Sequence, residues 1–481
     1  MKTCSFITLG CKVNQYETQA LREAVLSSGY EEAHSNVPVD LCVINTCTVT
    51  STSDDKSRQQ IRKVIRNNPD ATVIVTGCYA ESDAEAIKKI DGVGYVFEKG
   101  REGKIIEFVK NGFISNNNSV SAPGNIRDPR TKKLRRNESA FNLKVSKFDG
   151  HTRAFLKIED GCDIFCSYCI IPYVRGKVIS KKIDDILFEA EQLVSNGYKE
   201  IVLTGIHLGA YGKETGYQLS ITDALEELQA LQGLERIRLS SIEVNEVTDD
   251  LIDIIAGSDK ICPHFHLPLQ SGDDYILKRM NRKYNAVQYL KTLEKIKEKL
   301  ELPSISTDVM VGFPGEKRAH FENTMKLCEQ AGFSRTHIFS YSPREDTPAA
   351  KMPDHCKPSE IKARKKELES LVAETSLRYK NSFVGRDISI LVEKARDKKT
   401  GKLCGYSDRY VKVSFDGPDD LMNEIVAVHV ERVLPQSVMG KYSFDAGAWD
   451  AQIEADAASG KLDALAEEAL AEYKAGKARE I

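Results

Sequence analysis

Residues 154–169 read AFLKIEDGCDIFCSYC: a short apolar stretch with strand character runs straight into a loop carrying Cys162, Cys166 and Cys169. Cysteine thiolate is the standard ligand of iron–sulfur clusters. Three thiolates within eight residues reach one cubane if the loop wraps around it. A cubane has four irons, so one iron keeps an open coordination position, which a reactive centre needs and a structural one does not. A zinc knuckle would pair CxxC with a second CxxC or an HxxxH nearby, and a ferredoxin would show CxxCxxCxxxC. Neither pattern follows here.

Outward from this loop the chain alternates. AFLKIED, EIVLTGI, RIRLSSIE, HFHLPLQ, SISTDVMVGF and THIFSYS are six candidate strands, separated by helical patterns such as DDILFEAEQLVSNG, TDALEELQAL and FENTMKLCEQAG. Six β/α units in a row predict a closed or partly open parallel barrel, with its chemistry at the carboxyl ends of the strands. The cysteine loop follows the first of these strands. Upstream, CSFITLG, DLCVINT, TVIVTG and GYVFEK alternate with the helical patterns NQYETQALREAVLSSG and SRQQIRKVIRNN, which predicts a small parallel α/β domain. Downstream of a charged helical pattern (358–381), DISILVEK, KLCGYS, RYVKVSF and EIVAVHVERV predict a small all-β barrel. The expected division is an α/β domain (1–115), a polar and basic linker (116–140), the barrel (141–380), the β-barrel (381–445) and an Ala- and Glu-rich helical tail (446–481).

The length of 481 residues accommodates several domains, with hydrophobic residues at 41% and charged ones at 29%. The net charge of −3 does not announce a nucleic-acid binder, so any such surface is local. No apolar run reaches 18 residues and no signal-peptide pattern opens the chain, so the expectation is a cytoplasmic protein without membrane contact. Twelve cysteines fall far short of a disulfide scaffold and point to metal or redox chemistry.

A second cysteine set is scattered. Cys11, Cys47 and Cys78 each sit just after a candidate strand, in TLGCKVN, NTCTV and TGCY. Ligands gather at strand carboxyl ends in parallel α/β domains, so the three can converge. Buried structural thiols are the competing reading, and it is the preferred one for Cys4 and Cys42, which lie inside strands.

CxxxCxxC with Tyr168 before the last cysteine is the signature of the radical S-adenosylmethionine superfamily, which the chain therefore resembles. GCKVNQYE, INTCTVT and TGCYAE, with LQSGDDYILKRMNRKY (269–284), TDVMVGFPGE (307–316) and FSYSPREDTPAA (339–350), resemble the methylthiotransferases within it. That likeness spans residues 1 to about 437. GCKVNQYET and TCTVTSTSDDKSRQQIR resemble the branch that acts on N6-threonylcarbamoyladenosine beside the tRNA anticodon. The resemblance implies two 4Fe-4S clusters, one on Cys162, Cys166 and Cys169 and an auxiliary one on Cys11, Cys47 and Cys78. It implies S-adenosylmethionine as the radical source, a reductant, a tRNA anticodon loop as substrate and a C-terminal TRAM domain. The same chemistry on another tRNA adenosine or on a ribosomal protein is the alternative, and a non-catalytic iron–sulfur RNA-binding protein is a third reading. Two departures stand out: GEKRAHF replaces the usual GFPGET continuation, and the tail has no counterpart.

Further candidates follow the strands. Gly205, Ser240, Ser241 and Glu243 are expected near S-adenosylmethionine by that same likeness, or else as ordinary strand-end residues. His264 and His266 share a strand face, as core histidines or as contacts to substrate. Asp160 reads as a turn residue, and Arg175-Gly176-Lys177 as able to neutralise a phosphate or carboxylate. Arg135, Arg136, Lys394, Arg409 and Lys412 are candidate RNA contacts.

Overall fold

The computed structural model describes residues 2–33, 37–111, 137, 139–148, 150–216, 218–442 and 457. Arg135, Arg136, most of the expected linker and nearly all of the tail lie outside them.

The N-terminal unit is β1 (Lys2–Thr8), α1 (Lys12–Leu26), β2 (Tyr30–Glu32), β3 (Leu41–Thr46), α2 (Ser51–Asn67), β4 (Thr72–Gly77), α3 (Cys78–Ser82), α4 (Ala84–Lys88), β5 (Tyr95–Val96) and α5 (Glu102–Lys110). Its sheet is wholly parallel in the order β2-β1-β3-β4-β5. The period-2 alternation of β3 divides the core. Leu41 and Val43 pack with Leu21, Val25 and Phe108 of α1 and α5 on one face. Cys42 and Ile44 pack with Ile61 and Val64 of α2 on the other. Helices on both faces explain why β3 is an unbroken apolar run. Cys4 and Cys42 are buried members of these cores.

The central unit is β6 (Ala154–Lys157), β7 (Glu159–Asp160), α6 (Ile171–Arg175), β8 (Ile179–Ser180), α7 (Ile183–Ser195), β9 (Glu200–Thr204), α8 (Ile221–Gln229), β10 (Arg236–Leu239), α9 (Asp249–Ala256), β11 (His264–His266), α10 (Asp274–Arg279), α11 (Ala286–Lys299), β12 (Ser304–Val311), α12 (Arg318–Ala331) and β13 (Arg335–Ser340). Two parallel three-stranded sheets, β6-β9-β10 and β11-β12-β13, are joined by the bridges Ile237–Ile261 and Ser241–His266. The result is six strands in chain order curved into an open barrel. Apolar residues such as Leu156, Leu203, Ile237, Phe265 and Val309 point outward into one helix-covered core.

α13 (Pro358–Asn381) leads to a closed barrel, β14-β15-β16-β18-β17, formed by Asp387–Val392, Leu403–Ser407, Lys412–Phe415, Ile425–Val433 (β17) and Val438–Tyr442 (β18). Four of these strands are expected from the sequence. β18 is the addition, and it closes the barrel by pairing with both β16 and β17. No described helix is long and apolar enough to cross a membrane.

The N-terminal unit spans the open side of the central barrel. α1 packs along β6, and Arg344, beyond β13, donates to Asp54 (3.0 Å) and to Thr48. The seam between them holds buried charge. Glu17 of α1 accepts from Lys157 (2.9 Å) and Arg175 (3.1 Å) and pairs with Lys99. Asp160 accepts from Lys157 (2.7 Å) and Arg175 (2.8 Å). Asp160 is therefore a network member more than a turn residue. Burial pushes the Glu17 carboxyl up, but Arg175, Lys157 and Lys99 outweigh it and hold it well below its usual range. Asp160 is held low in the same way, by Lys157 and Arg175.

Removing one partner of a buried ion network strands the others. Glu17→Ala is expected to lower stability by about 3–5 kcal/mol, read from chemical denaturation followed by circular dichroism. The wild type should also lose stability in acid. A depressed carboxylate contributes fully above its ordinary value, 4.5 for Glu17 and 3.8 for Asp160, and progressively less as pH falls below it. A stability that stays flat from pH 5 to about pH 2 would contradict this ledger of charge.

Candidate active site

The cysteine loop is shaped by its neighbours. Gly161 has φ +92°, and a Cβ there would lie 2.1 Å from the Lys177 carbonyl oxygen, so only glycine fits. The Cys162 amide donates to Gly176 O (3.0 Å) and the Cys169 amide to Cys166 O (3.0 Å). Asn281 Nδ2 donates to Phe165 O (2.8 Å) and Ile164 O (3.2 Å), and Ser167 Oγ donates to Arg279 O (2.8 Å). Tyr168 sets its ring edge-on to Phe313 at 6.4 Å. The loop is thus clamped by the 279–282 and 313 segments, whose sequence gives no sign of that duty by itself.

A pocket of about 160 Å³ beside the loop is lined by Asp163, His207, Glu243, Glu246 and Arg282, among others. Arg282 lies 3.2 Å from Cys166 Sγ and pairs with Glu243. His207 Nε2 is 2.6 Å from Glu246 and Nδ1 is 3.7 Å from Asp163. Burial opposes a charge on His207, yet Asp163, Cys162 and Glu246 together push it up to about 12. Ser240 is buried, and its hydroxyl has no partner among the described residues. Ser241 is the bridge residue opposite His266. Gly205 is set against protein: a Cβ there would lie 2.6 Å from Glu159 Oε2. That oxygen accepts the amides of Ile206 and His207, both at 2.7 Å, while burial raises the Glu159 carboxyl to about 8. Asp163, Glu159, Glu246 and Arg282 were not singled out from the sequence. Isolated charged residues carry no spacing signal.

Cys11, Cys47 and Cys78 do come together. Gly10 has φ +106°, and a Cβ on it would sit 2.8 Å from Cys47 Cβ and 2.9 Å from Cys47 Sγ. Asn14 ties the three loops. Its Nδ2 donates to Leu9 O (2.7 Å) and Thr46 O (3.0 Å). Its Oδ1 accepts from the thiols of Cys11 (3.8 Å) and Cys78 (3.9 Å) and from Arg175 (2.7 Å). Burial pushes the Cys78 thiol up to about 11, against the pull of Arg175 and Lys99. Cys78 also packs on Ile170 and Val174, which border and belong to the helix that leaves the other cysteine loop. The elements that carry Cys78 and that leave the other cysteine loop therefore face one another.

Among the described residues no three Cys, His, Asp or Glu side chains surround a single metal ion. A cubane binds each thiolate at a different iron and suits a wider set. The donor chemistry fits such a cluster at both triads: all thiols, glycine where the backbone comes close, and cations (Arg282, Arg175) beside the sulfurs.

The RNA candidates that are described also make contacts within the protein. Lys394 lies over the Tyr198 ring (4.6 Å), Lys412 pairs with Asp397 (3.0 Å), and Arg409 donates to Leu302 O (3.0 Å) and Glu301 O (3.0 Å). Arg409 and Lys412 also line a cavity of about 910 Å³, with Lys398, Lys399 and Lys402, between the two barrels.

The fold and this site define a member of the radical S-adenosylmethionine class. The "Radical SAM superfamily" model matches residues 156–328, and that of "Uncharacterized protein family UPF0004" matches 3–98. A radical S-adenosylmethionine methyltransferase, TsrM from Kitasatospora setae, solved with cobalamin and a 4Fe-4S cluster bound, shares the fold. Its TM-score is 0.52 at 14% identity, over 73% of this chain and 77% of that one. "Threonylcarbamoyladenosine tRNA methylthiotransferase MtaB" of Bacillus subtilis (strain 168) is 39% identical over 89% of this chain and 94% of its own. The protein of that name from Chlamydia pneumoniae is 36% identical over 91% and 98%. The "tRNA-2-methylthio-N(6)-dimethylallyladenosine synthase" of Bacillus subtilis (strain 168) is 32% identical over 90% and 84%. The chain belongs to the MtaB family of radical S-adenosylmethionine methylthiotransferases. Membership of that superfamily brings with it S-adenosylmethionine and one 4Fe-4S cluster.

Asn14→Leu keeps the side chain's size but leaves two carbonyls and an Arg175 N–H without a partner. It is expected to cost about 2–4 kcal/mol in denaturant unfolding of the metal-free protein. A change under about 0.5 kcal/mol would show that Asn14 does not tie the loops.

Proposed function

We propose that the chain methylthiolates C2 of N6-threonylcarbamoyladenosine at position 37 of tRNA, next to the anticodon. The observation that supports it most is the pairing of two cysteine triads on facing elements in a chain related over nearly its full length to proteins named for that reaction. Cys162, Cys166 and Cys169 hold the radical cluster, and Cys11, Cys47 and Cys78 hold a second 4Fe-4S cluster. When bound, these groups and S-adenosylmethionine supply an electron from an external reductant, the radical that removes hydrogen from C2, and the site at which sulfur is carried and methylated.

The chain's own residues position and protect. Arg282 and protonated His207 offer cations, and Glu243, Glu246 and Asp163 offer carboxylates, to the charged end of S-adenosylmethionine in the small pocket. Ser240 offers a hydroxyl that no described residue uses. Gly205 keeps the Glu159 carboxyl close, which fixes the turn bearing His207. Arg175 brings a buried positive charge to the Cys11, Cys47 and Cys78 loops, where thiolate and cluster charge gathers. The basic residues of the larger cavity, with Lys394 and the basic stretch at Arg135 and Arg136, meet the phosphates of the anticodon stem, while unstacked loop bases enter the barrel. Such an enzyme works in the cytoplasm, where its tRNA is.

The test is anaerobic reconstitution with iron, sulfide, reductant and S-adenosylmethionine, followed by mass spectrometry of nucleosides from tRNA. The expected product is the 2-methylthio form of N6-threonylcarbamoyladenosine. Product from unmodified or isopentenylated adenosine alone would overturn the reading. Iron analysis is expected to show about half of the wild-type iron in each triple Cys→Ala variant. Gly10→Ala should lose the same half as the Cys11, Cys47 and Cys78 variant, because its Cβ displaces Cys47.

A further inference from the structure

β13 is the end strand of the open barrel, and among the described strands it pairs only with β12. Side chains alternate across a strand. Val309 and Ile338, partners in the register, pack outward against the helix-covered core. Their neighbours Met310 and Phe339, also register partners, therefore point into the barrel. Phe339 is the last residue but one of β13. All six barrel strands run parallel, so it lies at the end from which the Cys162 loop leaves β6 and β7.

Two sets of contacts bracket that position. On one side, Met310 packs with Tyr168, Phe313 and Tyr341 in a single cluster. The Tyr341 and Phe313 rings lie 5.4 Å apart, and Phe313 lies 6.4 Å from Tyr168. Tyr168 stands between Cys166 and Cys169. On the other side, the segment leaving β13 carries Arg344, which donates to Thr48 and Asp54. Thr48 directly follows Cys47. The carboxyl end of β13 is thus held between the radical-type cysteine loop and the Cys47 loop.

Phe339 is 46% exposed, and its ring meets no other ring or cation among the described residues. A single exposed phenylalanine on an outer surface means little. This one stands inside a barrel, beside both sets of thiols, where a flat apolar partner would release the water over its face. Unpaired RNA bases are recognised by stacking on aromatic side chains of this kind. Stacking fixes the plane of a base and leaves its edge free. C2 of adenine is an edge atom, and the proposed reaction needs that edge between the radical source and the sulfur site.

We infer that Phe339 is the platform on which the target adenine stacks, holding the ring so that its C2 edge lies between the two cysteine sets. The inference rests on the function proposed above and goes further by naming the side chain that holds the base. The contact is with the ring that all adenosines share. Phe339 therefore positions the base and does not choose among its N6 substituents.

The experiment is a double-mutant cycle between protein and RNA. It uses two synthetic anticodon stem-loops, one with N6-threonylcarbamoyladenosine at position 37 and one with an abasic site there. Affinity is read by fluorescence anisotropy on the full-length, iron-loaded protein. Stacking of one base predicts that Phe339→Ala weakens the adenosine RNA by about 5- to 100-fold and the abasic RNA by less than about 2-fold. Phe339→Trp and Phe339→Tyr should stay within about 3-fold of the wild type, whereas Phe339→Leu, apolar but without a π-face, should lose most of what alanine loses. Iron content and affinity for the abasic RNA report folding in every variant. Equal losses on both RNAs, no loss on either, or a leucine variant that binds like the wild type overturns the inference. Product formation by the wild type on the adenosine RNA separates the two levels. If product forms and the cycle shows no coupling, Phe339 is not the platform and the proposed reaction stands. If no product forms, the proposed reaction itself fails.

Discussion

Arg175 and Lys157 against Glu17 and Asp160 form the interaction on which the rest of the molecule depends. Three elements meet at this buried knot: α1 of the N-terminal unit, the first barrel strand with its extension, and the helix leaving the radical-type cysteine loop. Charges in such a place are stable only in that geometry, because each carboxylate answers two or more cations and water is excluded. The knot fixes the angle at which the two cysteine sets face one another. Arg175 adds one more link by donating to Asn14, the residue that gathers the Cys11, Cys47 and Cys78 loops. A shift of α1 would therefore open both halves of the site at once.

The amino-terminal end of the barrel is governed by the same kind of constraint. Arg238 and Arg236 reach out of β10 to carbonyls of the small barrel, at Asp408, Ser407 and Tyr406, and the Tyr410 ring lies over Arg238 at 4.5 Å. Arg409 fastens the same loop to the 301–302 turn. The small barrel thus seals the lumen from below while its basic face turns toward the large cavity.

Much of this architecture was legible in the chain. The six barrel strands alternate apolar and polar residues with a period of two, and they were identified in order. β2, β18 and the short helices α3 and α4 were not, because three- to five-residue elements leave too little pattern. The cysteine loop was readable because its three thiols are close in sequence. Cys11, Cys47 and Cys78 were readable only as a shared position after strands, with family likeness supplying the rest. Lys394, Arg409 and Lys412 were chosen for charge, which gave no sign of the contacts that each also makes within the protein.

Sequence by itself determined the types of element, their order and the close-set cysteine loop, since propensity, periodicity and short-range spacing are local properties; the branch of chemistry came from likeness of whole motifs. Only the tertiary structure decided which charges became neighbours. Glu17 meets Arg175 across 158 residues and Asn14 meets it across 161. Pairings of that kind follow from how a sheet curves and which edge a helix covers, and no local spacing encodes them.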